Sequence, residues 1–175
     1  MNFFRGRLHL EIRYLSPEDD LYAVSNVYEQ SWKYAYKNIV PQQYLDSIPA
    51  GRWVKQVAEN CLVAVENGCI VGTSSICGSR WEKYSTYGEI VSIYFLPEYM
   101  GKGYGKLLLE RAAGELHKRG FQKLLLWVLE ENTRARNFYS KCGFSPSGEV
   151  MTDCIGGKEL KEVMYVRESF NFYGE

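Results

Sequence analysis

The chain has 175 residues, enough for one domain that buries most of its unfolded surface. Its 21 lysines and arginines balance 21 aspartates and glutamates, which excludes the basic footprint of a nucleic-acid or anionic-membrane binder. No window approaches the ~20 apolar residues of a membrane-spanning helix, and the first seven residues hold too short an apolar stretch for a signal peptide, so a cytoplasmic protein is expected.

Residues 8–15 read as a first strand. Ser16-Pro17-Glu18-Asp19 then offers an N-cap, a proline at the first helical position and acidic residues in the first turn. A helix is expected over about 17–34, with Leu21, Val24, Val27, Tyr28 and Trp32 on one face. Pro41 opens a second short helix through Leu45, and 52–59 suits a third of a turn or two. Strands over 62–66 and 70–76 flank Asn67-Gly68, the strongest short-range hairpin signal. Residues 78–88 are polar and aromatic and read as a loop before a strand over 89–96.

Pro97 stops that strand, Gly101, Gly103 and Gly105 follow at alternate positions, and a leucine-rich helix begins, with Leu108, Ala112 and Leu116 on one stripe and an end near Gly120. The first turn of a helix carries amides without intrahelical partners and a partial positive charge, and glycines let an anion approach them. Neither common nucleotide loop fits. A P-loop needs Ser or Thr where Leu107 stands and Gly where Met100 stands, and a dinucleotide fingerprint needs G-x-G-x-x-G.

Residues 123–129 form an almost continuous apolar run, as in a strand covered on both faces. A short helix capped by Asn132 or Thr133 follows and closes at Gly143, and strands over 149–155 and 159–167 make a hairpin around Gly156-Gly157. No repeat, linker or low-complexity tract appears. The sum is an α/β chain of the α+β type, a single domain over 1–175 with a mixed, mostly antiparallel twisted sheet of about six or seven strands flanked by helices.

The block Met100-Gly101-Lys102-Gly103-Tyr104-Gly105 resembles the pyrophosphate-binding motif Gln/Arg-x-x-Gly-x-Gly/Ala of the GNAT superfamily of acyl-CoA-dependent N-acetyltransferases. Met100 stands where that family usually carries Arg or Gln, which leaves Lys102 or Lys106 to supply the charge. A second block matches the pattern Asn-x-x-Ala-x-x-Phe-Tyr-x-x-x-Gly-Phe with Asn132, Ala135, Phe138, Tyr139, Gly143 and Phe144. The resemblance spans roughly 10–167 and is specific over 89–144.

The resemblance implies transfer of an acetyl group from acetyl-CoA to a primary amine by direct attack in a ternary complex. It implies that Ile93, Tyr94 and Phe95 splay from the neighbouring strand and pair their backbone with the pantetheine arm, and that Met100, Gly101, Lys102, Gly103, Tyr104, Gly105 and Lys106 hold the pyrophosphate. It gives Asn132 the pantetheine amides, Tyr139 a place by the cofactor sulfur as proton donor, and Glu89 the role of proton acceptor. The same residues have plainer readings. Glu89 also suits a solvated strand end, Asn132 a helix cap, and Tyr139 the core face formed with Ala135, Phe138 and Cys142.

In this family the first helices and the last hairpin frame the acceptor, which points to Trp32, Tyr36, Trp81, Tyr84 and Tyr165 in a chain with 14 tyrosines and 4 tryptophans. His9 and His117 read as structural or solvated. The five cysteines, Cys61, Cys69, Cys77, Cys142 and Cys154, show neither C-x-x-C nor zinc-type spacing and read as reduced core residues, so no metal is expected. A small-molecule amine stands ahead of a protein N-terminus or lysine as acceptor, with a non-catalytic acyl-CoA-binding module as the rival of another class. No nucleic-acid or membrane partner is expected, and a homodimer is implied by the resemblance alone.

Overall fold

The computed structural model describes residues 10–57 and 60–168. Seven strands form in them: β1 (Leu10–Tyr14), β2 (Cys61–Glu66), β3 (Cys69–Gly78), β4 (Tyr87–Phe95), β5 (Lys123–Leu129), β6 (Ser145–Ile155) and β7 (Lys158–Arg167). They join one sheet in the order β1-β2-β3-β4-β5-β7-β6, parallel between β4 and β5 and antiparallel elsewhere. The expected mixed, mostly antiparallel sheet is present with seven strands.

Two turns follow the glycine chemistry of the sequence. Asn67 and Gly68 both take positive φ, 51° and 79°, and Gly156 and Gly157 take 61° and 81°, the backbone that a two-residue hairpin turn requires. β6 begins earlier than the expected position 149, and His9 falls outside the described residues, as do Ala58 and Glu59 at the end of the third expected helix. Residues 51–56 are turns, not a helix.

Four helices flank the sheet: α1 (Leu21–Ala35), α2 (Gln42–Asp46), α3 (Tyr104–Lys118) and α4 (Thr133–Lys141). The first starts four residues later than the sequence suggests. Asp20, not Ser16, is its N-cap, its carboxylate accepting from the Tyr22 amide at 2.8 Å. Asp19 explains the shift: its two oxygens accept from the Arg13 guanidinium at 2.7 and 2.8 Å, and one also takes the Ser16 amide at 2.7 Å. That pairing ties 16–19 to β1 as a turn, which outweighs the proline's preference for a helical start.

One face of the sheet packs against α3 and α4 through Leu62, Ala64, Ile90, Phe95, Leu108, Leu109, Ala112, Leu116, Leu124, Leu126 and Phe144. The other face meets α1 and α2 through Val24, Tyr28, Val63, Leu45, Leu129 and Leu160. Helix α4 closes at Gly143, φ 83°, with the Phe144 amide donating to Tyr139 O at 3.1 Å, a left-handed C-terminal cap.

Gly72 shows how tightly the first face is filled, since a Cβ there would lie 2.4 Å from the Phe95 ring. Gly72→Val is expected to cost about 1–3 kcal/mol through overpacking, read as a lower urea midpoint at unchanged m-value. An unaltered midpoint would show that the Phe95 ring yields freely.

Candidate functional site

Strand β4 builds the site by two departures from regularity. Opposite β3, Ile90 pairs with Ile76 and Ser92 with Ser75, so Val91 has no partner and forms a bulge. Strict alternation would put Glu89 and Tyr94 on opposite faces. The extra residue brings both to the α1 side, where the Ser92 hydroxyl meets Tyr28 at 3.1 Å and the Tyr94 hydroxyl accepts from Trp32 Nε1 at 3.2 Å. Ile90, Ile93 and Phe95 remain on the α3 side.

The second departure is a parting of strands. The parallel ladder joins only Tyr87, Glu89 and the residue between them to Lys123–Leu125. Past it β5 pairs with β7 alone and β4 with β3 alone. A cavity of about 1180 Å3 runs through this gap, and its walls come from both faces of the sheet.

At one side of the cavity stands the start of α3. Its N-cap is Gly103, φ 86°, with no capping side chain, and Gly101 has φ 80°. A Cβ on either would meet nothing within 4 Å, so these glycines are needed for their left-handed backbone and not for space. Among the described residues the amides of Gly101, Lys102, Gly103, Tyr104 and Gly105 have no acceptor in the chain. The first backbone bonds of the helix are those of Lys106 and Leu107 to Gly103 O, at 3.2 and 3.4 Å. By contrast, α1 and α4 are closed by Asp20 and Asn132. Lys106 and Lys141 bring cationic side chains to the wall on this side, and the Arg134 guanidinium packs over the Tyr34 ring of α1 at 5.5 Å.

The expected site residues fall into distinct groups. Ile93, Phe95, Met100, Gly101, Gly103, Gly105, Lys106, Asn132 and Tyr139 line the cavity. Lys102 and Tyr104 do not: the Lys102 ammonium rests 4.8 Å from the Tyr99 ring centre, and the Tyr104 ring is buried with its hydroxyl donating to Glu66. Tyr94 lines the cavity from the α1 side, its hydroxyl 3.4 Å from that of Tyr36. The Asn132 side-chain oxygen caps α4 through the Ala135 amide at 3.1 Å, and its amide nitrogen has no partner in the chain among the described residues.

Tyr139 is buried with Phe138 and Phe144, yet no protein group engages its hydroxyl among the described residues. Burial pushes its pKa well up, with the nearby Tyr94 acting in the same direction. Tyr36 is likewise pushed up to about 12 by burial.

Glu89 is the third residue of β4 and is 1% exposed, so it is not a solvated strand end. Arg80 clamps it: Nε and Nη2 donate to Oε1 at 3.1 and 2.6 Å, and the Arg80 amide donates to Oε2 at 3.0 Å. The pair raises the Arg80 pKa, chiefly through the hydrogen bond to Glu89. Arg80 sits in the stretch the sequence leaves as loop, where no periodicity marks it.

The acceptor-side aromatics divide as well. Trp32, Tyr36 and Trp81 line the cavity, and Trp81 packs on Trp127 with ring centres 5.0 Å apart. Tyr84 instead packs on Tyr87 and donates to Glu149, and Tyr165 is buried and accepts from Arg136. Sequence reasoning missed Trp127, Asp153 and Glu162, all in the cavity wall. The only signal for them was strand alternation, which assigns Glu162 to a face without saying what the face looks onto. Burial, then the charge of Asp153, pushes the Glu162 carboxyl up, against a pull from Arg80.

Among the described residues no group of three or more His, Cys, Asp and Glu side chains is set to hold a metal, and no helix is long and apolar enough to cross a membrane. Residues 21–144 match the family model described as acetyltransferase (GNAT) family. The chain is 31% identical over 151 residues to the uncharacterized N-acetyltransferase YuaI of Bacillus subtilis, covering 83% of this chain and 86% of that one. It is 29% identical to a spermidine N(1)-acetyltransferase of Thermoplasma acidophilum, covering 88% and 99%. In fold it resembles a PaiA N-acetyltransferase from Thermoplasma acidophilum solved with coenzyme A, at a TM-score of 0.68 and 24% identity over 92% of this chain and 99% of that one.

The Arg80–Glu89 clamp can be tested by its energetics. Arg80→Ala leaves a buried carboxylate without its donors and is expected to destabilise by about 1–3 kcal/mol. Adding Glu89→Gln recovers part of that loss in urea unfolding, because the orphaned charge is gone. Equal stability of the wild type and Arg80→Ala would rule out a structural role for the pair.

Proposed function

The chain belongs to the acetyltransferase (GNAT) family and is an acyltransferase, and on that footing we propose that it moves an acetyl group from acetyl-CoA to a primary amine of a small molecule by direct attack. The observation that carries this reading is the run of five open amides at the start of α3, beside a cavity that passes through the gap between β4 and β5.

The residues present suit the co-substrate. A diphosphate needs several convergent donors and positive potential, and the uncapped start of the 15-residue α3 offers both. Gly101 through Gly105 contribute backbone amides, Tyr104 and Lys102 through the main chain only, and Lys106 brings the charge that Met100 lacks. The parted edge of β4 at Ile93, Tyr94 and Phe95 offers backbone groups to an extended amide-bearing arm, as an added strand would take them, and the Asn132 amide nitrogen is free to join. Acetyl-CoA supplies an acyl group already activated as a thioester, so the chain has only to orient it, stabilise charge and move protons.

Tyr139 is assigned the proton donation. Its burial keeps the hydroxyl protonated at neutral pH, and no protein partner competes for that proton. Glu89 is assigned the acceptance of the amine's proton, through water: Arg80 fixes its orientation with three bonds, and a carboxylate has about four lone-pair sites. A primary ammonium near pKa 10.4 has almost no free amine at neutral pH, so such a group is needed. The thiols support direct transfer over a covalent route. Cys142 alone among the cysteines lines the cavity, and burial pushes its pKa up, as it does for Cys61 and Cys77, the reverse of an activated thiolate.

A small-molecule acceptor is favoured by the aromatic walls of Trp32, Tyr36, Trp81 and Trp127, which suit an organic cation, and a spermidine acetyltransferase stands among the relatives. Isothermal titration with coenzyme A tests the first half of the reading, and failure to bind at millimolar concentration would remove it. For the second half, Tyr139→Phe is expected to lower kcat on an acetylated amine about 100-fold while affinity for acetyl-CoA holds within a few-fold. Thiol release from an amine and peptide panel identifies the acceptor class, and peptide-only turnover would replace the small-molecule reading.

A further inference from the structure

The cavity wall holds one half-buried carboxylate that the proposed chemistry leaves unused. Glu162 stands on β7, opposite Leu129 of β5 and Met151 of β6, on the sheet face that meets α1 and α2. Among the described residues no donor or cation reaches its oxygens. The contrast with the other acids that are shielded from solvent is sharp. Glu89 has Arg80, Asp19 has Arg13, and Glu115 has Lys118 and Arg111. Asp153, exposed on the same face of β6, takes only the neighbouring Cys154 amide.

A carboxylate withdrawn from water without a partner costs free energy until a cation arrives. The cavity it lines is suited to a cation, with the packed pair Trp81–Trp127 and the pair Trp32–Tyr36, edge to face at 4.9 Å, in the same wall. Arg80 is near enough to influence Glu162, but its guanidinium is committed to Glu89. The chain therefore neutralises Glu89 and leaves Glu162, the less exposed of the two other cavity-wall acids, to whatever enters.

We propose that Glu162 is a specificity-determining residue which binds a second cationic nitrogen of the acceptor, so that diamines are acetylated in preference to monoamines of the same length. This rests on the acetyltransfer reading and names its acceptor class. A charge-assisted contact of this kind corresponds to a factor of about 10 to 100 in kcat/KM.

The test compares a series of alkyl diamines with alkyl monoamines of matched length, by thiol release with acetyl-CoA, and measures diamine binding to the coenzyme A complex by calorimetry. Wild type is expected to favour the diamine by about 10- to 100-fold, and Glu162→Gln to bring that ratio to within a few-fold of one. Glu162→Asp keeps the charge and is expected to retain the preference, moved towards a diamine about one methylene longer. Wild type that does not discriminate, or a Glu162→Gln variant that discriminates as wild type does, overturns the proposal. Should Glu162→Gln fail to fold, the wild-type ratio and the length shift in Glu162→Asp decide the matter alone. If no amine is acetylated, calorimetry still separates the two ideas. Diamine binding by wild type that Glu162→Gln loses leaves the subsite standing while the transferase reading falls, and absence of diamine binding by wild type sinks the subsite.

Discussion

The parting of β4 from β5 after Glu89 is the constraint on which the rest depends. Backbone amides and carbonyls withdrawn from water are normally paired, and a sheet that stops pairing in its middle leaves two edges unsatisfied by each other. Here the break falls at the single parallel junction of an otherwise antiparallel sheet. The chain leaves β4 for the glycine turn into α3 and leaves β5 for the turn into α4, so both helices begin beside the opening they frame. Stability is restored away from the gap: β5 keeps a full ladder with β7, and β4 keeps its ladder with β3 on either side of the bulge.

The same break divides the electrostatics of the cavity. On the α3 and α4 side stand uncapped amides, a helix dipole and the cations of Lys106 and Lys141. On the α1 side stand carboxylates and aromatic rings. Because the gap passes through the sheet, the two environments share one cavity, and Tyr94 and Tyr139, which belong to opposite faces, lie close enough for Tyr94 to help push the Tyr139 hydroxyl up. The first side therefore carries the donors and positive potential that favour an anion, and the second the acids and rings that favour a cation.

Much of this was legible in the residues because it is local. Alternating glycines after a proline-stopped strand, Asn67-Gly68 between apolar runs, and the Leu108, Ala112, Leu116 stripe each carry their own geometry, and the structure follows them. What escaped was set by distance in space. The helix start moved from Pro17 to Leu21 because Asp19 found Arg13 on the preceding strand. The bulge at Val91 has no signature in the sequence, since it exists only as a mismatch of register with β3, and without it the parity of Glu89 and Tyr94 is misjudged. Arg80 reads as a loop residue until the burial of Glu89 demands a counter-charge. Tyr84 and Tyr165 could not be told from Trp32 and Trp81 by residue type, because which aromatic faces a cavity is decided by the packing around it.

Glu89 and Glu162, the two least exposed carboxylates of the cavity, show how such a wall remains tolerable. Glu89 is almost wholly buried and is held by a cation from its own chain, which a carboxylate at 1% exposure requires. Glu162 keeps partial contact with solvent in the open cavity, and this lowers the cost of leaving it unpaired. Were Arg80 shared between them, neither would be fully compensated. Committed to Glu89 by three hydrogen bonds, it fixes one acid in place and leaves the other electrostatically exposed to an incoming ligand. The asymmetry gives this side of the cavity a half-buried unspent charge behind the exposed Asp153, set at a fixed place on a strand, and a cavity with such a charge discriminates by where a ligand carries its own.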